Sequence, residues 1–313
     1  MNRLDRSLNI NRKLIYQVIV MFIIMIASSC TSKPYTLEDG YIFIQKEGRH
    51  LNKENWQLVW SDDFEVNQID TSHWTRIDRW TDDDFGMPIE EWYAEPEKWK
   101  DHRNLDCFSY VTSSDELYEV KNGELLLWGK INKDTLADPR PYLQGAVKSK
   151  GKFAFQYGKI EIRAKLQGAG GSWPAFWMLS EKNIYEDLPN RNGEIDIMER
   201  LNHEDFVYQT THSYWTIGMK NKMNPQGYAT TKIDTEDYNI YGLEWYPDRL
   251  VYTVNGKVSY EYPKLEGVDE AQWPFDQPFY LMLDQQLGGN WVGAVDAEDL
   301  PAHVSVDWVK VYQ

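Results

Sequence analysis

Glu194, Asp196 and Glu199 stand in one short run, Gly193-Glu194-Ile195-Asp196-Ile197-Met198-Glu199-Arg200. Side chains alternate between the two faces of a β-strand, so Glu194 and Asp196 share one face while Ile195 and Ile197 take the other. Glu199 breaks that parity, and one β-bulge between Asp196 and Glu199 returns it to the acidic face. The two glutamates are then four strand positions apart, with Cα atoms ~13 Å from each other at ~3.3 Å per residue. Side chains that lean inward would bring the carboxyls near the ~5–5.5 Å of a nucleophile paired with an acid/base. Three carboxylates this close cannot all ionise at their ordinary pKa values. At least one should hold its proton near neutral pH, as a general acid must. Glu194 is the candidate nucleophile, Glu199 the candidate acid/base, and Asp196 the neighbour that hydrogen-bonds Glu194.

A solvated acidic strand face would carry the same bare pattern. The flanks argue against it: Ile195 and Ile197 mark a core strand, and the preceding segment Gly171-Ser172-Trp173-Pro174-Ala175-Phe176-Trp177-Met178-Leu179 is strongly aromatic. The positioning elements read as strands throughout. Lys159 to Leu166 alternates apolar and polar residues as a half-buried antiparallel strand does. Asn122-Gly123 and Asn255-Gly256 lie between apolar runs and predict hairpins, because a type I′ turn needs positive φ at both central residues. Further strands are expected over Gln57–Phe64, Glu124–Lys130, Ser172–Leu179, Gly193–Arg200, Phe206–Ser213, Tyr241–Tyr246, Arg249–Val254, Phe279–Leu287 and Val304–Tyr312. Amphipathic helical periods are absent, so the class is an all-β sandwich. Asp78 to Tyr110 and Asn183 to Asn192 read as long loops, and loops on a rigid sheet commonly build binding sites.

The chain has 313 residues and a formal net charge of -16, which disfavours nucleic acid as a partner. Its 14 Trp and 20 Tyr exceed what a core needs and suit stacking on sugar rings. Arg12 and Lys13 precede an apolar run from Leu14 to Ala27, too short for a comfortable membrane span and of signal-peptide length. Ala27-Ser28-Ser29-Cys30 resembles a bacterial lipobox, with Cys30 as the lipidation site. Residues 1–30 are therefore expected to be a signal peptide, 31–54 a tether and lead-in, and 55–313 one catalytic domain. The expected location is the bacterial cell envelope, with membrane contact only through the lipid anchor. Cys107 reads as a packed thiol. A monomer is the default for an anchored cleft enzyme.

From about Leu58 to Tyr312 the chain resembles glycoside hydrolase family 16. The resemblance rests on Leu58-Val59-Trp60-Ser61-Asp62-Asp63-Phe64, Trp173-Pro174-Ala175-Phe176-Trp177-Met178, the acid strand, Trp273-Pro274-Phe275-Asp276, Gly288-Gly289-Asn290-Trp291 and Val306-Asp307-Trp308-Val309-Lys310-Val311-Tyr312, all in order. It implies a concanavalin-like β-jelly roll with a concave cleft, endo-action on β-linked polysaccharide or glycan, and retention of configuration. It carries the three acid roles onto Glu194, Asp196 and Glu199. Trp173, Trp177, His212, Gln286 and Trp291 are candidate substrate-binding residues, with His212 expected to hydrogen-bond the acid/base region. Catalysis would require no cofactor. Many relatives hold a structural Ca²⁺, for which Asp307 and a backbone oxygen near Gly123 would be the ligands. No zinc, phosphate-loop or Ser-His-Asp pattern is present.

Substrate choice rests on departures from the laminarinase pattern. Val292 follows Gly288-Gly289-Asn290-Trp291 where Pro is usual, Asp284 stands where Asn is common, and Gln285-Gln286 replace small apolar residues. Asp138-Pro139-Arg140-Pro141-Tyr142 and Gln209-Thr210-Thr211-His212-Ser213 look more like endo-β-galactosidases that act on mucin-type poly-N-acetyllactosamine. That substrate is the favoured expectation, with laminarin-type β-1,3-glucan the alternative. Asp284, Gln285 and Gln286 are expected to offer hydrogen bonds to the sugar. A lectin-like, binding-only protein is the reading from another class; it predicts loss of a carboxylate, and all three acids are present.

Overall fold

The computed structural model describes residues 56–78, 111–138, 140–185 and 192–313, together with the backbone of two short strands before them. The chain divides into Met1–Tyr35 and Thr36–Gln313, and the second unit is the one considered below. The leader, Cys30, Cys107 and most of the two expected long loops lie outside the described residues.

In chain order the strands are β1 (Tyr35–Thr36), β2 (Ile42–Gln45), β3 (Leu58–Asp62), β4 (Thr75–Arg76), β5 (Tyr118–Lys121), β6 (Glu124–Ile131), β7 (Tyr142–Gln144), β8 (Ala146–Lys148), β9 (Phe153–Gln156), β10 (Gly158–Leu166), β11 (Ser172–Ser180), β12 (Glu194–Glu199), β13 (Phe206–His212), β14 (Tyr228–Lys232), β15 (Asn239–Trp245), β16 (Arg249–Val254), β17 (Lys257–Pro263), β18 (Phe279–Leu287) and β19 (Ala302–Tyr312). One sheet runs β2-β9-β18-β11-β12-β13-β14, with β8 also on β18 and β4 on β8. The other runs β17-β16-β15-β10-β19-β6-β5, with β3 on β19 and β7 on β6. Neighbours are antiparallel except β2 and β9, which pair in parallel. Ile42–Gln45, within the stretch expected as tether and lead-in, thus adds a strand to the first sheet.

One core lies between the sheets. Phe176, Met178, Ile195, Ile197, Met198, Leu281 and Leu283 from the first sheet meet Ile160, Ile162, Tyr241, Leu243, Tyr252, Val306 and Val309 from the second. This is the expected sandwich. Strand β10 alternates buried and half-buried residues along its whole length, as its sequence period requires. Both Asn-Gly pairs make their hairpins: Asn122 and Gly123 have φ of 55° and 78°, Asn255 and Gly256 of 51° and 73°. They join β5 to β6 and β16 to β17.

Of the residues expected to hold Ca²⁺, the Asp307 side chain is engaged by the chain itself. Asp307 on β19 pairs with the Arg163 guanidinium, which also lies 4.2 Å over the Tyr238 ring. Tyr238 in turn donates to Glu124, next to Gly123. Ca²⁺ takes six to eight oxygen ligands. Here the Asp307 carboxylate is paired with a cation of the chain, which it would have to release to ligate Ca²⁺.

Candidate active site

The acids stand where β12 crosses the middle of the first sheet. Entry into the strand depends on Gly193, whose φ is +80° and where a Cβ would lie 2.6 Å from Pro274 and 2.8 Å from Phe275. Three rows then cross the sheet. Leu179, Glu194 and His212 form one; Trp177, Asp196 and Thr210 the next; Ala175, Glu199 and Tyr208 the third. Between the second and third rows β12 advances by Ile197, Met198 and Glu199, while its partners shift register to match. This is the expected bulge. Ile197 and Met198 both sink fully into the core, and Glu199 returns to the face of Glu194 and Asp196. Burying each such apolar side chain is worth roughly 1.5–3 kcal/mol, which holds the strand down despite the acids on its other face.

All three acids line an open cleft of about 640 Å³ on the outer face of this sheet. Burial pushes Glu194 up to about 7, opposed by a hydrogen bond from Asp196. Asp196 is only 2% exposed, and burial drives its pKa far upward, helped by repulsion from Glu194 and Glu199. Glu199 rises to about 8, first through burial and then through repulsion by Glu194, while bonds from Trp173 and Thr210 pull the other way. Burial and mutual repulsion thus keep the set partly protonated, and Asp196 holds a proton that it donates to Glu194. A partly protonated set can supply one attacking carboxylate and one acid held in reserve.

His212 is displaced from its expected role. Its Nε2 is 3.3 Å from Asp196 Oδ2 and 3.9 Å from Glu194 Oε1, so it serves the Glu194 end and not Glu199. The β12–β13 register puts Tyr208, not His212, opposite Glu199. Burial, then the charge of Lys222, lowers His212 to about 4 and keeps the imidazole neutral.

The expected aromatics divide into two roles. Trp173 Nε1 donates to Glu199 Oε1 at 3.0 Å. Trp291, 47% exposed, meets the Trp173 ring edge-on at 5.0 Å and the Tyr208 ring at 4.8 Å. These three rings form a wall beside Glu199, with Trp291 the one open to a sugar. Trp177 borders the cleft but is only 3% exposed, and its Nε1 donates to Asp284 Oδ2 at 2.7 Å. It is a support beneath the floor.

The expectation that Asp284, Gln285 and Gln286 all face substrate fails for two of them. Gln286 lines the cleft. Asp284 is fully buried, raised to about 7 by burial, and held by Trp177 and Gln286. Gln285 points to the other face, where its Nε2 donates to Ser172 Oγ at 2.8 Å. Sequence reasoning also missed Thr210, Tyr208, Thr216, Lys222 and Tyr228, all of which border the cleft.

Residues 109–310 match the family profile Glycosyl hydrolases family 16. A keratan-sulfate endo-1,4-beta-galactosidase of Sphingobacterium multivorum is 36% identical over 261 residues, covering 83% of this chain and 56% of that protein. The chain belongs to glycosyl hydrolases family 16. Membership classes it among the glycoside hydrolases. A second relative, the beta-glucanase of Rhodothermus marinus, is 32% identical and covers 83% of this chain and 86% of its own length. The family 16 sandwich is also that of the laminarinase structure from Rhodothermus marinus, with a TM-score of 0.69, 29% identity and coverage of 83% of this chain and 98% of that one. The two-sheet jelly roll expected from sequence is thus the fold of the family.

Proposed function

We propose that this family 16 chain hydrolyses internal β-glycosidic bonds with retention, in two displacements. The observation that carries the reading is the placement of Glu194 and Glu199 two rows apart on one face, with the protonated Asp196 between them donating to Glu194. Glu194, as carboxylate, attacks the anomeric carbon. Glu199 gives its proton to the departing oxygen. The glycosyl ester on Glu194 is then opened by water, with Glu199 now taking the proton. Asp196 spreads the negative charge of Glu194 before attack and releases it as the ester forms. Lining residues flank both glutamates, Trp291 and Tyr208 beside Glu199 and His212 and Lys222 beside Glu194, so sugars on both sides of the cut can bind and internal bonds are broken first.

The favoured substrate is the β-1,4 galactosyl bond of poly-N-acetyllactosamine in keratan-type and mucin-type glycans. Support comes from the 36% identity to the keratan-sulfate endo-1,4-beta-galactosidase and from Gln286, a polar group on the cleft floor. A site that hydrogen-bonds its sugar discriminates against analogues that leave those groups unpaired. The beta-glucanase relative supports a β-1,3-glucan as the second reading. Export and a lipid anchor at Cys30 belong to the same proposal; replacing Cys30 by Ser should release the protein from the membrane fraction.

The test is an incubation of purified protein with keratan-type glycan, gastric mucin, laminarin, lichenan and agarose. Mid-sized oligosaccharides should appear early from the first two, and NMR should detect the β-anomer first. Rapid cleavage of laminarin with the galactose polymers untouched overturns the substrate. Early α-anomer overturns the double displacement.

A further inference from the structure

We propose that Lys222 is a specificity-determining residue that receives a sulfate monoester carried by the bound glycan, next to the sugar over Glu194. This deepens the galactan reading above and rests on it. Among the described residues that line the cleft, Lys222 is the only Lys or Arg. It borders the end of the cleft shared with His212 and Tyr228, away from the Trp173–Tyr208–Trp291 wall. Its loop is bonded through Gly227 to Thr211, the neighbour of His212, which sets Lys222 at that end of the site, and its charge helps lower the pKa of the imidazole.

The loop that carries Lys222 is built to hold it. The Gly227 N–H donates to the Lys222 carbonyl at 2.7 Å, and the Asn221 N–H to the Trp215 carbonyl at 3.0 Å. Trp215 Nε1 closes the same loop on the Asn224 carbonyl at 2.9 Å, and Met223 bridges Gln226. The loop returns directly into β13, since Thr211 N–H donates to the Gly227 carbonyl. The side chain is exposed, and none of the acids described makes an ion pair with it.

A cation here has little to offer a neutral polymer. A sulfated polymer presents a different problem. The protein has a formal charge of -16 and the working site carries the Glu194 carboxylate, so an anionic glycan meets repulsion on approach. One ammonium at the cleft's edge, beyond the carboxylates, supplies the counter-charge where the sulfate can lie without facing Glu194. Lys binds such an anion as a point charge with three donors. The alternative role, merely keeping His212 neutral, would act on every substrate equally.

The experiment compares kcat/KM of wild type, K222Q and K222R on keratan sulfate and on the same material chemically desulfated. The quantity read is the sulfated-to-desulfated ratio, with pH–rate curves recorded on both. Wild type should favour the sulfated polymer. K222Q should lower the ratio about tenfold, the scale of one charge-assisted hydrogen bond, K222R should restore most of it, and added salt should shrink the difference. A ratio unchanged in K222Q, or a fall accompanied by the same pH shift on both polymers, overturns the role of Lys222 and leaves the galactanase reading standing. Wild type that cuts neither polymer but cuts laminarin overturns both.

Discussion

Trp173 donates its indole N–H to Glu199 at 3.0 Å, so the aromatic wall of the cleft is wired to the proposed acid. A donor to a carboxylate favours the charged form, yet burial and Glu194 outweigh it and leave Glu199 at about 8. The rate should rise as Glu194 loses its proton near pH 7 and fall as Glu199 loses its own near pH 8. Because the two acids interact, these limbs belong to the pair. W173F removes the donor, so the alkaline limb should move to higher pH. A pH–rate curve of kcat/KM checks this, and an alkaline limb that stays put or moves down shows that Trp173 does not tune Glu199.

Replacing each glutamate by its amide should separate their roles. E194Q should abolish turnover with the fold intact, because no carboxylate remains to attack. E199Q should lose on the order of 10²–10⁴ in kcat/KM, which reports the first displacement, on natural glycans and much less on an aryl glycoside whose leaving group needs no proton. Circular dichroism verifies folding. Equal losses of E199Q on both substrates would remove Glu199 from the acid role.

Stability should carry the opposite mark. Glu199 has a folded pKa raised well above its unfolded value, so the folded state binds the extra proton. Its contribution is fully present below the unfolded pKa near 4.5 and is lost as pH rises towards 8. E199Q cannot ionise and escapes that loss. Its melting temperature should exceed that of wild type by a margin that grows from pH 5 to pH 8 and then levels off. A constant margin would mean that Glu199 is not held protonated by the fold.

Trp291 lies open at the cleft edge, braced by Trp173 and Tyr208. W291A should raise KM roughly tenfold, the scale of one exposed aromatic surface lost to a sugar. kcat should change little if the ring binds ground state and transition state alike. A large fall in kcat with KM unchanged would instead tie the ring to the chemistry through Glu199.

The strand that carries the acids was legible because its faces must be consistent: only a bulge puts Glu199 beside Glu194 while Ile195 and Ile197 stay in the core. The same parity should have separated Gln285 from Asp284 and Gln286, since neighbours on a strand point to opposite faces. The partner of His212 was not legible, because register between β12 and β13 is decided by pairing across the sheet and leaves no mark in either strand alone. Lys222 and Tyr228 were missed for a related reason. Lys222 reaches the cleft from a non-periodic loop whose course is set by backbone bonds such as Gly227 to Lys222, and Tyr228 opens β14 where that loop ends. The Arg163–Asp307 pair brings together residues far apart in the chain, and only folding reveals that a guanidinium occupies the carboxylate.

The bulge on β12 means that the sheet counts places and not residues. Glu194 and Glu199 are five apart along the chain and four apart across the sheet. Excise Met198 and the run becomes Glu-Ile-Asp-Ile-Glu, an unbroken alternation that delivers all three acids to the same side with no irregularity. Two alphabets of different length therefore spell one constellation, and a single codon lost or gained is a step between neighbours, provided the vacancy left in the core by the thioether is refilled. Loss of Ile197 does the same, leaving Glu-Ile-Asp-Met-Glu, but lose a residue of β12 before this pair and the register of polar and apolar inverts from that point on. The tolerance of this strand to length change is confined to one spot, which is also the spot that aims Glu199.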